Sequence, residues 1–376
     1  MDNTGAKAYT EEGYDPMHKV RPIIDLFNIR CADLYKPKQH LSVDEAMIPF
    51  KGRHYTKQYM PNKPDKFGFK AWVCAEADTG YALQVELYEG KARDPDRVRT
   101  RSENGLGYDV VTQLTRQYWE KFHVITYDRF FSSVALAENL LQHRTYVNST
   151  ILLNRKGLPT AVKKLKLKKS SPCHQYRKGN VLLTVFHDKR QISHLSTGCL
   201  PGLSDNGVKP IVNVAYNKYM GGVDLCDQNK SYYQVGRKTV KWWKYIVWHF
   251  INLAINNAYV LYRASPTPIA TGAEPRRVVL THKLFRLAIV EQLLGSLSRR
   301  GPVKRLCPFS DAVPMDSDVA ITHISEQSEH LRAYRYCPRN GDKKRSRTWC
   351  KDCDVNLCPY GCFQRYHAER CGISTE

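Results

Sequence analysis

The chain has 376 residues, a mass of 43.3 kDa, a formal charge of +22 and a pI near 9.5. That length suffices for two or three domains of roughly 100–200 residues, and 42% hydrophobic with 11% aromatic residues excludes a largely disordered chain. No apolar run approaches the ~18 residues of a membrane span and no signal-peptide pattern is present, so the excess of positive charge points to a nucleic-acid partner rather than a membrane, inside the cell.

Residues 1–15 are polar. Over residues 16–34 apolar side chains recur at helical spacing, through Val20, Ile23, Ile24, Phe27 and Leu34, and Pro22 predicts a kink or a helix restart inside the run. Residues 41–50 (LSVDEAMIPF) read as a strand, and 51–66 as a basic loop holding Lys51, Arg53, Lys63 and Lys66. Two strands over 68–77 and 81–88 are joined by Asp78-Thr79-Gly80, a hairpin turn. Then follow a helix over 107–121, a β-rich run at 123–127 ending at Asp128, a helix over 133–143 and a strand over 146–153. Hairpin strands leading into alternating helix and strand units predict an α/β fold with a mixed sheet.

Residues 155–210 break this rhythm with the basic run 163–169 and a hairpin around 181–186 and 192–195, and read as a β-rich insertion. Residues 212–232 begin in a turn and become helical. The strongest helix spans 243–262, with Trp243, Ile246, Val247, Phe250, Ala254, Ala258 and Leu261 as its expected buried stripe. Arg237 and Lys238 precede it, residues 264–275 read as a linker, and 279–298 read as a further helix.

Six of the twelve cysteines fall in the last forty residues. Cys350 and Cys353 form a CxxC pair, Cys358 and Cys362 a CxxxC pair, and Cys337, His367 and Cys371 lie nearby. A CxxC turn brings two thiolates onto one ion and pre-forms half of a tetrahedral Zn²⁺ site, the whole tail holding one or two such ions, and a segment with so little apolar core needs the metal to fold. The basic stretch Lys343, Lys344, Arg345 beside them fits phosphate contact.

Asp44 in the first strand and Asp128 at the end of the fourth are carboxylates that a sheet edge can bring together, and paired carboxylates on divalent metal suit phosphodiester chemistry. Asp224, in GGVDLCDQ, is the candidate third ligand, and Asp227 falls on the same side if that segment is helical. Each acid also has a plain structural reading as a turn or cap residue. Glu45 points to the other face of a strand and is left out.

Longer motifs add weight. HLSVDEAMIPFKGR, YMPNKPDKFGFKAW, ITYDRFFSS, AENLL, NRKGLP, YNKYMGGVDLCDQ and RKTVKWWKYIVWH occur in this order. Together they resemble the piggyBac transposase family, including vertebrate proteins derived from it. The resemblance implies an RNase H-like core with catalytic aspartates at Asp44, Asp128 and Asp224, and a further important acid at Asp227. It implies Mg²⁺ or Mn²⁺ at the first three, cleavage of transposon ends through hairpin intermediates, and insertion at TTAA. It also implies a double-stranded DNA partner, a homodimer, a nuclear location and a zinc finger that binds DNA ends. In that scheme residues 1–40 are the remnant of a dimerisation and DNA-binding domain. The catalytic core then spans 41–154 and 211–263 around an insertion at 155–210. A helical segment and linker occupy 264–329, and the zinc-binding domain 330–376. Asp128 is followed by Arg129, where many family members carry Asn.

Overall fold

The computed structural model describes residues 15–61, 63–90, 103–169, 171–205, 207–265, 279–295, 325–333 and 345–350, with positions 353, 355, 356 and 366. Two compact units divide the chain at residues 297 and 298.

In the first unit, helix α1 (Arg21–Leu34) holds Pro22 in its first turn instead of bending there. A helix's first turn has no use for the missing N–H, so proline opens the helix without cost. Strands β1 (His40–Pro49), β3 (Phe67–Glu76) and β4 (Ala82–Leu87) follow, with the two-residue β2 (Gln58–Tyr59) inside the basic loop. Helix α2 (Leu106–Thr115), β5 (Val124–Tyr127), α3 (Val134–Gln142) and β6 (Tyr146–Thr150) complete the alternating part. Residues 155–210 hold α4 (Thr160–Lys163), β7 (His174–Lys178), β8 (Val181–His187) and β9 (Gln191–Ser196). Two helices, α5 (Ile211–Tyr219) and α6 (Gly222–Ser231), occupy the stretch expected to begin in a turn, then α7 (Trp242–Ala264) and α8 (His282–Leu294).

One nine-stranded sheet runs β2-β3-β1-β5-β6-β9-β8-β7, with β4 also paired to β3. β1 is central, antiparallel to β3 and parallel to β5, and β5 is parallel to β6. The sheet is therefore mixed, as the element order predicts. β9 pairs antiparallel with β6, so the strands of the expected insertion lengthen the same sheet. In the basic run, Leu165 and Leu167 pack on the core while Lys163, Lys164, Lys166, Lys168 and Lys169 stay in solvent.

The free edge of β4 is closed by two asparagines. Asn28 of α1 donates to the Val85 carbonyl and accepts from the Val85 amide, each at 2.9 Å. Asn257 of α7 does the same for Ala82, at 2.8 and 2.9 Å. An edge strand otherwise leaves N–H and C=O groups without partners, and buried ones are costly. This corrects the expected stripe of α7. Ala254 is exposed, and the buried side includes His249, Asn252, Asn256 and Asn257 beside Ile246, Phe250, Leu253 and Val260. The helix is turned so that its polar side chains meet backbone, which an apolar count does not register. Trp243 is half-buried rather than core, Trp248 is half-buried too, and Trp242 packs beside His54 and Phe69.

The second unit contains β10 (Ser325–Ala333), β11 (Arg345–Cys350) and β12 (Val355–Asn356) in one antiparallel sheet.

Candidate active site at the edge of β1 and β5

The parallel register pairs His40 with Val124 and Val43 with Tyr127. The next positions along the two strands are Asp44 and Asp128, and adjacent strands lie only ~4.8 Å apart. Asp44 is half-buried within β1, and Asp128 half-buried in the loop that leaves β5. Its carboxylate accepts from the Phe130 amide at 2.8 Å. Arg155 holds that loop by donating to the carbonyls of Arg129 and Phe130, at 2.9 and 3.1 Å.

Burial pushes the Asp44 carboxyl up to about 7, and the negative charge of Asp128 adds to the rise. The Glu45 amide, donating to Asp44 at 2.8 Å, and the Lys63 ammonium oppose it. Asp128 is also raised, by burial and then by the charge of Glu45, against the Phe130 amide. Two carboxylates kept half out of water favour a proton or a cation between them. Their hard oxygen donors suit Mg²⁺ or Mn²⁺.

Helices α5 and α6 cover the same face of β1. The His40 ring stacks on Tyr219 of α5 at 3.5 Å. A Cβ on Gly222 of α6 would collide with Ser42 Oγ and come within 2.9 Å of Ala77 Cα and Glu76 O. His40, Ser42 and Asp44 alternate onto one face of the strand, so both helices sit on the Asp44 side. Only glycine at 222 allows this approach of helix to strand. Asp224 lies in the first turn of α6 and is exposed. Asp227, half-buried, is ion-paired to Lys230 at 2.6 Å. Among the described residues no three His, Cys, Asp or Glu side chains are grouped so as to hold a metal ion. The fold thus sets Asp44 beside Asp128 and carries Asp224 on the helix that covers this face of β1.

Tyr216 of α5 was not among the residues expected at the site. It is buried, hydrogen-bonded to Thr150, and raised by burial, with the charges of Asp128 and Asp44 adding to the effect. Since Ser149 pairs with Tyr127, Thr150 stands next to Asp128. Tyr216 therefore borders the carboxylate pair. The available signal was its place at the head of the YNKYMGGVD motif.

The sequence-named cations are spread over several elements. Lys63 reaches the site, donating to the Glu45 carbonyl at 2.9 Å. Lys51, Arg53, Lys66, Arg237 and Lys238 are exposed. Glu45 pairs with Lys70 at 3.0 Å. Arg345 opens β11, while Lys343 and Lys344 lie outside the described residues. Of the cysteines expected to bind zinc in the tail, Cys350 is buried at the end of β11 and Cys353 is half-buried. Cys337, Cys358, Cys362, His367 and Cys371 lie outside the described residues.

The family model described as Transposase IS4 matches residues 2–259. The chain is 30% identical over 378 residues to human PiggyBac transposable element-derived protein 3, across 94% of this chain and 60% of that protein. It is 25% identical over 271 residues to human PiggyBac transposable element-derived protein 2, across 66% of this chain and 45% of that protein. The chain thus spans at most 60% of the length of these curated relatives. Among solved structures it is similar to the cryo-EM structure of the piggyBac transposase synaptic complex with hairpin DNA. There the TM-score is 0.66 at 25% identity, over 96% of this chain and 73% of that one. With the family model covering more than half of its length, the chain belongs to the piggyBac-type transposases of the Transposase IS4 family.

Proposed function

We propose that this chain is a DNA strand-cleaving and strand-transferring transposase core that uses Mg²⁺ or Mn²⁺ at Asp44 and Asp128, with Asp224 as the third ligand. The observation that carries the reading is the β1–β5 register, which runs directly into Asp44 beside Asp128. When bound, the divalent ion neutralises charge that builds on the phosphorus oxygens during cleavage. The chain's own residues prepare for it. Half-burial of the two carboxylates raises the preference for a cation. Tyr216, buried and hydrogen-bonded to Thr150, lies near enough to feel the charge of both carboxylates. Lys63 stands close enough to meet a phosphate, and Lys51, Arg53, Lys66, Arg237 and Lys238 supply exposed charge for a duplex backbone. Hairpin intermediates and TTAA insertion follow from the family resemblance. So do a homodimer, a nuclear location, a role for Asp227, and a zinc-bound tail through Cys337, Cys350, Cys353, Cys358, Cys362, His367 and Cys371. Lys343, Lys344 and Arg345 beside that tail would contact DNA ends.

The test is Mn²⁺-dependent nicking and hairpin formation on labelled DNA from the gene's flanking ends. Activity is expected in the full chain, and a loss of at least a hundredfold in both Asp44→Asn and Asp128→Asn. A second reading is a domesticated, non-catalytic DNA-binding protein. It is favoured by the likeness to human PiggyBac transposable element-derived protein 3. Salt-sensitive DNA binding with no nicking at any Mn²⁺ concentration would select it.

A further inference from the structure

Asp227 is the acid that family resemblance marks as important and that the geometry places oddly for a metal ligand. Its carboxylate is already occupied, accepting from the Lys230 ammonium at 2.6 Å, one turn along α6. Lys230 is only 6% exposed, unusual for a lysine, and its Nζ also lies 3.4 Å from His249 Nδ1 on α7. His249 is equally buried, at 6% exposure. Burial, with the Lys230 charge beside it, holds the imidazole well below its usual range, and because an ammonium can only donate, Nδ1 accepts in the tautomer that carries its proton on Nε2. Asp227, Lys230 and His249 therefore form a chain of charge-assisted hydrogen bonds from α6 into α7. The other end of α6 is fixed where Gly222 meets Ser42 of β1, and its middle where the Cys226 amide nears Gly80. Asp224 projects from the first turn, between these anchors.

We propose that Asp227 and Lys230 are positioning residues, with His249 as their seat. They lock α6 against α7 so that Asp224 is presented to the Asp44 and Asp128 edge, and Asp227 acts through this clamp rather than by binding metal. This rests on the transposase reading for its catalytic consequence but not for its structural one. A buried lysine stripped of its counter-ion is expensive, whereas an apolar side chain of similar shape in its place is tolerated. A clamp and a ligand therefore differ in how they respond to a second substitution. Asp227→Asn leaves Lys230 buried without its anion; adding Lys230→Met removes the stranded charge. A lost metal ligand would gain nothing from Lys230→Met.

The experiment uses the full chain as wild type, Asp227→Asn, Lys230→Met and the double variant. Mn²⁺-dependent nicking is titrated with Mn²⁺, and urea unfolding is followed in parallel. The clamp predicts that Asp227→Asn lowers kcat at least tenfold at an unchanged half-saturating Mn²⁺ concentration. It also predicts that the double variant recovers at least threefold of that loss, with a urea midpoint above that of Asp227→Asn. A tenfold rise in half-saturating Mn²⁺ for Asp227→Asn, or a double variant whose midpoint falls by the sum of the two single losses, overturns it. Should the wild type fail to nick at all, the transposase reading fails, and the four urea midpoints still decide the clamp.

Discussion

Asp44 and Asp128 show how a residue's environment shifts the titration of an ordinary acid. Neither is remarkable by type, and each alone could terminate a turn. What distinguishes them is that consecutive parallel pairing carries both to one level of the sheet, half out of water. Tyr216 enters the same corner from a helix more than eighty residues later in the chain, which no local pattern announces. Beneath it, His194 accepts from Asn213 Nδ2 at 3.1 Å, and its ring lies 5.1 Å from that of Tyr216. Burial lowers the His194 imidazole to about 4, against 6.5 for the free side chain. The unfolded chain therefore takes up a proton near pH 6.5 that the folded chain refuses until about pH 4. The stability contributed by neutral His194 is complete above pH 6.5 and lost as pH falls towards 4, by up to about 3 kcal/mol at ~1.4 kcal/mol per unit. Urea unfolding from pH 7 to pH 4 should show a shallower acid-side slope for His194→Gln than for wild type. Equal slopes would place the acid sensitivity in the other buried histidines.

Among the elements, α7 departs furthest from its sequence pattern. Counting apolar residues predicts a stripe through Ala254 and Ala258, but the buried side is rich in asparagine. The reason lies in what the helix covers. It closes the edge of β4 and the loop near Val235, where backbone groups need partners, and Asn252 supplies both a donor and an acceptor to Val235. Helical periodicity reports which side is apolar, not which side is covered when the covered surface is itself polar. Asn257→Leu strips Ala82 of both hydrogen bonds and is expected to cost roughly 2–4 kcal/mol. The change should be visible in the urea midpoint without a change in m. A loss below ~0.5 kcal/mol would mean that water replaces the clamp freely. Helix α6 was expected as the helical end of a single segment. It is a separate helix after α5, with the backbone of Gly222 pressed onto β1.

At the scale of the whole molecule, a charge of +22 is the dominant physical fact. If DNA is the partner, binding releases counter-ions from each phosphate met, and affinity falls steeply with salt. Between 50 and 200 mM salt, fluorescence anisotropy with a labelled duplex is expected to show a loss of about a thousandfold, as for six or more phosphate contacts. A change under tenfold would argue that the exposed cations serve solubility alone. Much of the molecule was legible without coordinates. Apolar periodicity set most strands and helices of the first unit, the Asp-Thr-Gly turn set the hairpin, and motif order set the family, because these depend on neighbours within a few residues. The acids Asp44 and Asp128 were legible as types at strand positions. Their proximity depends on β1 pairing in parallel with a strand some eighty residues later, and that pairing is decided by packing. The seat of Lys230 in α7, the two asparagines on β4 and the entry of Tyr216 are likewise decisions of tertiary structure. In each a polar group finds its partner far along the chain, and only the folded arrangement determines which distant group stands within hydrogen-bonding reach.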